Sequence, residues 1–421
     1  MRKILLVESS TVTASLIKKK LEAHLELSVT VCRSFAGVRQ LLHNSPSGYF
    51  LAILNMTLSD AESGEAVDYV IDKGIRTVVF SGWMDAERRQ ELFAKGIVDY
   101  VIKEGEQSLD YVAELVSRLA RNQGVEVLVV DDSGFLRKRM SCLLELYNFR
   151  VHEAGNGLEA LAALEAHPAI RMLLTDYNMP EMDGYELTQR VRRTHRRDQL
   201  AIIGLSASDS ALVSATFLKK GANDFIHKPF SEEELAWRVN QTIDSMEYIN
   251  RIRDASERDY LTGIYNRRHF FEAGSVFLEQ HRSAGVPTAL LMCDIDHFKK
   301  INDTYGHPIG DEAIRAIAKV LHTRFKAPQL VARLGGEEFA VLLTGPQAAT
   351  LEDSCRDLLG RVREIQLGTE QAVVRFTISI GAIKPAQGNL EKCLDEVDHL
   401  LYRAKQAGRD RAVLPDGVTI E

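Results

Sequence analysis

Between residues 126 and 226, short runs that read as strands, most of them dominated by apolar residues, alternate with amphipathic stretches. The runs fall at 126–130, 150–153, 171–175, 201–205 and 224–226. Helical spacing of apolar positions occupies 134–147, 156–166, 183–194 and 209–220, and another such stretch begins at 231. Near-continuous apolar strands such as 127–130 and 201–205 suit a parallel sheet covered on both faces. Five strand–helix units predict an open, doubly wound α/β domain, with functional groups gathered beyond the carboxyl ends of its strands.

The same pattern appears once before. LAILNMTL at 51, VVFSG at 78 and DYVIKEG at 99 return as MLLTDYNM at 172, IIGLSAS at 202 and DFIHKPF at 224, offsets of 121 to 125 residues. A period of that length duplicates a whole domain and excludes a short solenoid repeat. Residues 231–258 read as one long helix, with Ser231 as N-cap and Glu232, Glu233 and Glu234 suiting the positive helix start. Its stripe of Leu235, Val239, Ile243, Met246, Ile249 and Ile252 fits either a last domain helix running on as a spacer or a dimer-forming coil. From Asp259 the pattern changes. Strands expected at 288–293, 329–333, 338–343 and 373–380 are mixed with helices near 267–284, 308–325, 350–364 and 391–406. Gly335-Gly336 marks a tight hairpin, so this sheet is expected to be mixed and partly antiparallel.

Composition narrows the class. Of 421 residues, 45% are hydrophobic and 26% charged, which excludes a mostly disordered chain; 52 Lys and Arg against 59 Asp and Glu give a net charge of −7. That sign argues against a protein that chiefly coats nucleic acid or an anionic membrane. Five dispersed cysteines without a CxxC pair argue against a disulfide framework and a structural zinc site, and fit a reducing compartment. With no signal peptide and no long apolar run, a cytoplasmic protein without membrane insertion is expected.

Chemistry-bearing residues cluster in the second copy. Asp131 and Asp132 end its first strand, Asp176 its third, Ser206 its fourth and Lys228 its fifth. Three carboxylates in one crevice call for a hard cation such as Mg²⁺. A carboxylate beside such an ion can attack phosphorus, while Lys228 and Ser206 receive the phosphoryl oxygens. This constellation resembles the receiver domain of two-component response regulators over about residues 125–248. The resemblance implies Asp176 as phosphoacceptor and a Mg²⁺ held by Asp132 directly, Asp131 through water and the Asn178 carbonyl. It makes Ser206, Phe225 and Lys228 the switch, and a histidine kinase or phosphotransfer protein the phosphate donor. In the first copy Glu8 and Ser9 replace the acid pair and Asn55 stands at the phosphoacceptor position. Asp60, five residues on, is not expected to take over. An amide is a poor nucleophile, so this copy resembles a degenerate receiver that packs, dimerises or docks a partner.

In the last region, Leu290-Leu291-Met292-Cys293 runs into Asp294-Ile295-Asp296-His297-Phe298-Lys299-Lys300, and Arg333-Leu334 leads into Gly335-Gly336-Glu337-Glu338-Phe339. The hairpin can bring both glutamates beside Asp294, and such carboxylates bind the divalent metals that phosphoryl transfer requires. With Asp259-Tyr260-Leu261-Thr262-Gly263 and Asn266-Arg267-Arg268, these motifs resemble the GGDEF family of diguanylate cyclases in its GGEEF form. The resemblance implies that two GTP molecules give cyclic di-GMP and two pyrophosphates. It assigns Mg²⁺ or Mn²⁺ to Asp294, the Ile295 carbonyl and Glu337, with Glu337 also the base, Glu338 an auxiliary acid and Lys299 a charge stabiliser. Asn302 and Asp311 match guanine-reading positions, His297 and Phe298 other substrate positions, and Lys405 and Arg409 the terminal-phosphate site. Since each 3′-hydroxyl attacks the other nucleotide, a homodimer is required, and phosphorylation at Asp176 is expected to favour it. Lys326 and Gln329 replace the Arg and Asp of the family's RxxD product-inhibition site, so weak feedback is expected. The expected boundaries are 1–122, 123–248, a linker helix at 249–258, and 259–421. Two other outputs compete: a silent GTP or cyclic di-GMP sensor, and DNA binding. The intact acids and glycines oppose the first, and the lack of a helix-turn-helix segment opposes the second.

Overall fold

The computed structural model describes residues 2–24, 27–44, 48–83, 86–207, 211–369, 372–385 and 389–421. It divides into two compact units, Met1–Ile249 and Asn250–Glu421. The first unit holds two five-stranded sheets, each all-parallel with strand order 2-1-3-4-5. In the second of them the strands are Glu126–Val130, Arg150–Ala154, Ile170–Asp176, Ala201–Ser206 and Asp224–His227, within one or two residues of the apolar runs. In the three central strands the middle residues are buried on both faces because helices cover each side, whereas the edge strand Arg150–Ala154 is exposed or half-buried except at Ala154. The expected helix near 209–220 is described from Ala211 to Lys220, and its first residues lie outside the described residues.

The two sheets share one hydrophobic core through helices Glu106–Asn122 and Glu232–Glu257. Arg118 pairs with Asp244, Asn122 Nδ2 donates to Asn240 Oδ1 at 3.1 Å, and the Tyr147 hydroxyl donates to the Val98 carbonyl at 2.9 Å. Helix Glu232–Glu257 is capped by Ser231, whose Oγ accepts from Glu234 N–H at 3.0 Å. Its apolar stripe divides. Leu235, Val239, Ile243 and Met246 are buried in the shared core, whereas Ile249 and Ile252 are 50% and 54% exposed.

The second unit is built on a six-stranded sheet ordered Leu330–Gly335, Glu338–Thr344, Thr288–Ile295, Ile378–Ile383, Ala412–Val413 and Thr419–Ile420. All neighbours are antiparallel except Ile378–Ile383 with Ala412–Val413. Helices His307–Arg324 and Leu351–Arg363 pack on one face, and Arg267–Ser283 and Leu390–Gln406 on the other. Two expectations need correction. The strand expected at 373–380 is two pieces: Ala372–Val374 pairs with Leu367–Thr369 in a separate ribbon, and the sheet strand runs Ile378–Ile383. A helix at Phe298–Tyr305 was not expected; it is eight residues long, too short for the spacing of Phe298, Ile301 and Tyr305 to stand out as a helical period.

Candidate functional site

At the carboxyl edge of the second sheet, Lys228 Nζ donates to Asp131 Oδ2 at 2.6 Å and to Asp176 Oδ1 at 2.7 Å. Asp131 is 1% exposed and its other oxygen accepts from Ser133 N–H at 2.9 Å; Asp176 Oδ2 accepts from Asn178 N–H at 3.2 Å. Burial raises the Asp176 carboxyl above its ordinary range despite Lys228. Burial would lower the Lys228 ammonium, but its bonds to both carboxylates outweigh that and raise it. Asp132 stands exposed beside the pair, Ser206 is buried at its strand end and Phe225 is packed inward against Phe217. Three carboxylates against one ammonium leave an excess of negative charge, the donor chemistry that a hard divalent cation takes.

The corresponding edge of the first sheet is closed. Lys103 Nζ donates to Glu8 Oε2 at 2.5 Å, and Ser10 N–H and Asn55 Nδ2 donate to Glu8 Oε1 at 3.0 and 3.5 Å. Asp60 is used elsewhere: its oxygens accept from Phe35 and Ala36 N–H at 2.8 and 2.9 Å. It caps the helix Phe35–Asn44 and offers nothing in place of Asn55.

In the second unit the register sets Asp294 directly opposite Glu338, with Cys293 opposite Phe339. The turn between the strands is made by Gly335 and Gly336, at φ 154° and 48°. Only glycine adopts such a pair readily, and the result is a tip that presents Glu337 and Glu338 next to Asp294. From the opposite side comes the last turn of helix Leu390–Gln406. Gly381 lets it approach, because a Cβ there would lie 2.3 Å from the Val397 carbonyl oxygen. Lys405 Nζ thereby sits 2.9 Å from Asp294 Oδ2. Burial pushes the Asp294 carboxyl up to about 6, Lys405 opposes the rise, and Glu337 and Glu338 add to it. An acid held so far up by burial and like charge is one that a neighbouring cation would favour in its ionised form.

Asn302 lies on helix Phe298–Tyr305 and Asp311 on His307–Arg324, the two helices packed together; Asn302 Oδ1 is buried with no partner among the described residues. That orphan acceptor fits a ligand donor. Lys299 is exposed on the same short helix. His297, at φ 56°, lines a cavity of about 480 Å³ with Lys300, Arg363 and Arg375, and neither Glu337 nor Lys405 reaches it.

Two positioning residues escaped sequence reasoning. Arg333 donates to the Gly336 carbonyl through Nε and Nη2 at 2.9 and 2.7 Å, and through Nη1 to both oxygens of Asp259 at 3.1 and 3.2 Å. It ties the glutamate-bearing tip to the start of the unit. Asp296, buried one residue beyond Ile295, accepts from Thr377 and Ser379 hydroxyls at 2.7 and 2.6 Å and from Asp410 N–H at 3.0 Å. It thereby fixes the left-handed turn Arg409–Asp410. Only their long-range partners distinguish Arg333 from an ordinary strand residue and Asp296 from an ordinary turn residue.

One chain thus joins a doubly wound sheet with an aspartate–lysine crevice to a mixed sheet with a carboxylate-bearing tip. Comparison with known proteins agrees. Residues 256–411 match the diguanylate cyclase, GGDEF domain family, and residues 127–240 the response regulator receiver domain family. Response regulator PleD of Caulobacter vibrioides is 30% identical over 305 residues, covering 69% of this chain and 66% of that protein. Diguanylate cyclase VdcA of Vibrio cholerae is 37% identical over 171 residues, 40% of this chain and 49% of that protein. A solved two-component system response regulator/GGDEF domain protein, 40% identical, covers 59% of this chain and 100% of its own, with a TM-score of 0.54. The chain belongs to the response regulators with a GGDEF domain and is homologous to diguanylate cyclases, spanning just under two thirds of PleD and about half of VdcA. Among the described residues, no helix is long and apolar enough to cross a membrane.

Proposed function

We propose that this chain is a response-regulator diguanylate cyclase. It joins two GTP molecules into cyclic di-GMP with release of two pyrophosphates, and phosphorylation of Asp176 and pairing of two copies switch it on. The observation that carries this reading is the register of Asp294 against Glu338, closed by Lys405 from the opposite side. Mg²⁺ or Mn²⁺ held by Asp294, the Ile295 carbonyl and Glu337 would supply the positive charge that a triphosphate needs during transfer.

The chain's own residues do the rest. Glu337 takes the proton from the ribose 3′-hydroxyl, with Glu338 beside it, and Lys299 steadies the developing charge on the phosphates. The orphan Asn302 Oδ1 and the Asp311 carboxylate accept from guanine's ring N–H and amino group. Lys405 neutralises Asp294 while no nucleotide is bound, then turns to the terminal phosphate with Arg409, exchanging one anion for another. His297 and Phe298 border the substrate. Each domain presents one GTP, so the ring closes only between two domains held face to face.

The receiver supplies that pairing. A phosphoryl group on Asp176 draws on Lys228 and Ser206 and shifts the population toward a dimer, with Phe225 reporting the change; Asp131, Asp132 and the Asn178 carbonyl would hold the Mg²⁺ that neutralises its charge. The donor is a histidine kinase or phosphotransfer protein, and the setting is the cytoplasm. The first domain, with its crevice closed by Glu8 and Lys103, is a degenerate receiver that acts as a packing platform for the second. The domains run 1–122, 123–248 and 259–421, with 249–258 as linker. Beryllofluoride on the full chain tests the coupling: the dimer fraction and the turnover of GTP should rise together. Both unchanged at saturating beryllofluoride would overturn it.

A further inference from the structure

The edge strand of the second sheet, Arg150–Ala154, pairs with Glu126–Val130 so that Glu126 faces Arg150 and Leu128 faces His152. Leu128 points into the core beneath helix Gly157–Ala166, together with Ala160 and Leu164. Strand alternation puts Glu126 and His152 on that same face. The helix ends at His167, whose N–H donates to the Ala163 carbonyl and whose carbonyl accepts from Ile170 N–H. Its backbone is therefore fixed above the two strand residues.

The outcome is a compact donor set. Ligand atoms of Glu126, His152 and His167 all lie within 4.8 Å of one another. Glu126 Oε2 is 3.0 Å from His152 Nε2, and the two imidazole rings are 4.3 Å apart at 33°. Tetrahedral zinc, with ligands at about 2.0–2.1 Å, spaces its donors about 3.3 Å apart. The present separations, 3.0 Å for Glu126 Oε2 to His152 Nε2 and none above 4.8 Å, bracket that spacing. Arg150 lies 3.8 Å from Glu126 Oε1, the other carboxylate oxygen, so Oε2 remains on the histidine side.

We propose that Glu126, His152 and His167 form a binding site for a divalent cation of the zinc class, with its fourth position open to solvent. Two imidazoles and one carboxylate suit zinc and its late first-row neighbours, whereas Mg²⁺ demands an octahedral set of oxygens. The site lies by the amino end of Glu126–Val130, and the Asp131–Asp176–Lys228 crevice lies at the carboxyl ends of the strands. The domain thus keeps hard-cation and imidazole chemistry at opposite edges of one sheet. A cation here would tie the edge strand, its neighbour and a helix terminus together.

The test uses the metal-stripped full chain, titrated calorimetrically with ZnCl₂ in millimolar Mg²⁺, and with CoCl₂ as an optical probe. One zinc equivalent undisturbed by Mg²⁺, and the visible absorption of four-coordinate Co²⁺, are expected. His152→Ala and His167→Ala should each weaken zinc binding at least tenfold and abolish the cobalt band, and zinc should raise the unfolding temperature of the wild type alone. His167 is exposed at a helix end, so its variant carries the test even should His152→Ala fold poorly. No zinc uptake by the wild type, or equal affinity in wild type and His167→Ala, would overturn the site.

Discussion

Asp294→Asn separates what the sheet tolerates from what the chemistry needs. Burial with Glu337 and Glu338 nearby raises this carboxyl from the ordinary 3.8 to about 6, even with Lys405 attached. The folded state therefore holds the proton more tightly than the unfolded chain does. Ionisation costs stability in full above about pH 6, and the cost disappears below the ordinary 3.8. The rise corresponds to about 3 kcal/mol, or about 1.5 kcal/mol once relaxation and water penetration around the carboxyl are allowed for. Without metal, Asp294→Asn should accordingly be more stable than wild type by about 1.5 kcal/mol at pH 8, and by about half of that at pH 5. Saturating Mg²⁺ reverses the order, because a ligand at 100 times its Kd stabilises the wild type by about 2.7 kcal/mol. Both tryptophans, Trp83 and Trp237, lie in the other unit. The readout is hydrogen exchange of amides in strand Thr288–Ile295. A metal-free Asp294→Asn protein less stable than wild type at pH 8, or a gain independent of pH, would refute the reasoning.

Other outcomes follow from the same contacts. Asp176→Asn should leave unstimulated GTP turnover intact and remove the response to a phosphodonor, read by turnover with and without beryllofluoride. Arg333→Met frees the tip from Asp259 and should lower kcat by about 5- to 150-fold, the cost of about 1–3 kcal/mol for disrupted buried polar groups, with a smaller change in KM. Gly381→Ala forces a Cβ against the Val397 carbonyl and should cost about 1–3 kcal/mol in denaturant unfolding, with weaker GTP binding as Lys405 is displaced. Cyclic di-GMP should not inhibit at submicromolar concentration. Gln329 is tied to Thr344 through a 2.7 Å bond from its N–H and a 3.3 Å bond to its carbonyl, and Lys326 lacks a bidentate fork.

The receiver crevice was almost wholly legible in the chain, because a parallel sheet delivers the residue after each strand to one edge. Asp131, Asp176 and Lys228 needed only the strand ends to be found. The acid tip was legible for a similar reason: two glycines force the turn that places Glu338 opposite Asp294. What escaped depends on distant partners. Asp296 is fixed by Thr377 and Asp410, 81 and 114 residues away, and Arg333 by Asp259, 74 residues away. The strand expected at 373–380 breaks where Thr377 turns its hydroxyl to Asp296, and a β-period reading of that apolar run carries no trace of the break. The long helix shows a different limit. One continuous stripe carries Leu235 to Met246 into a core and leaves Ile249 and Ile252 in solvent, and spacing alone does not mark where burial stops.

The central claim is that Asp294, Glu337 and Lys405 form a nucleotidyl-transfer centre fed by GTP. Its most direct measurement is nucleotide chromatography of the purified full chain incubated with GTP, Mg²⁺ and beryllofluoride, alongside Glu337→Gln. Cyclic di-GMP with two pyrophosphates per ring is expected from the wild type and neither product from the variant. Unaltered GTP in the wild-type reaction, or undiminished product from Glu337→Gln, would contradict it.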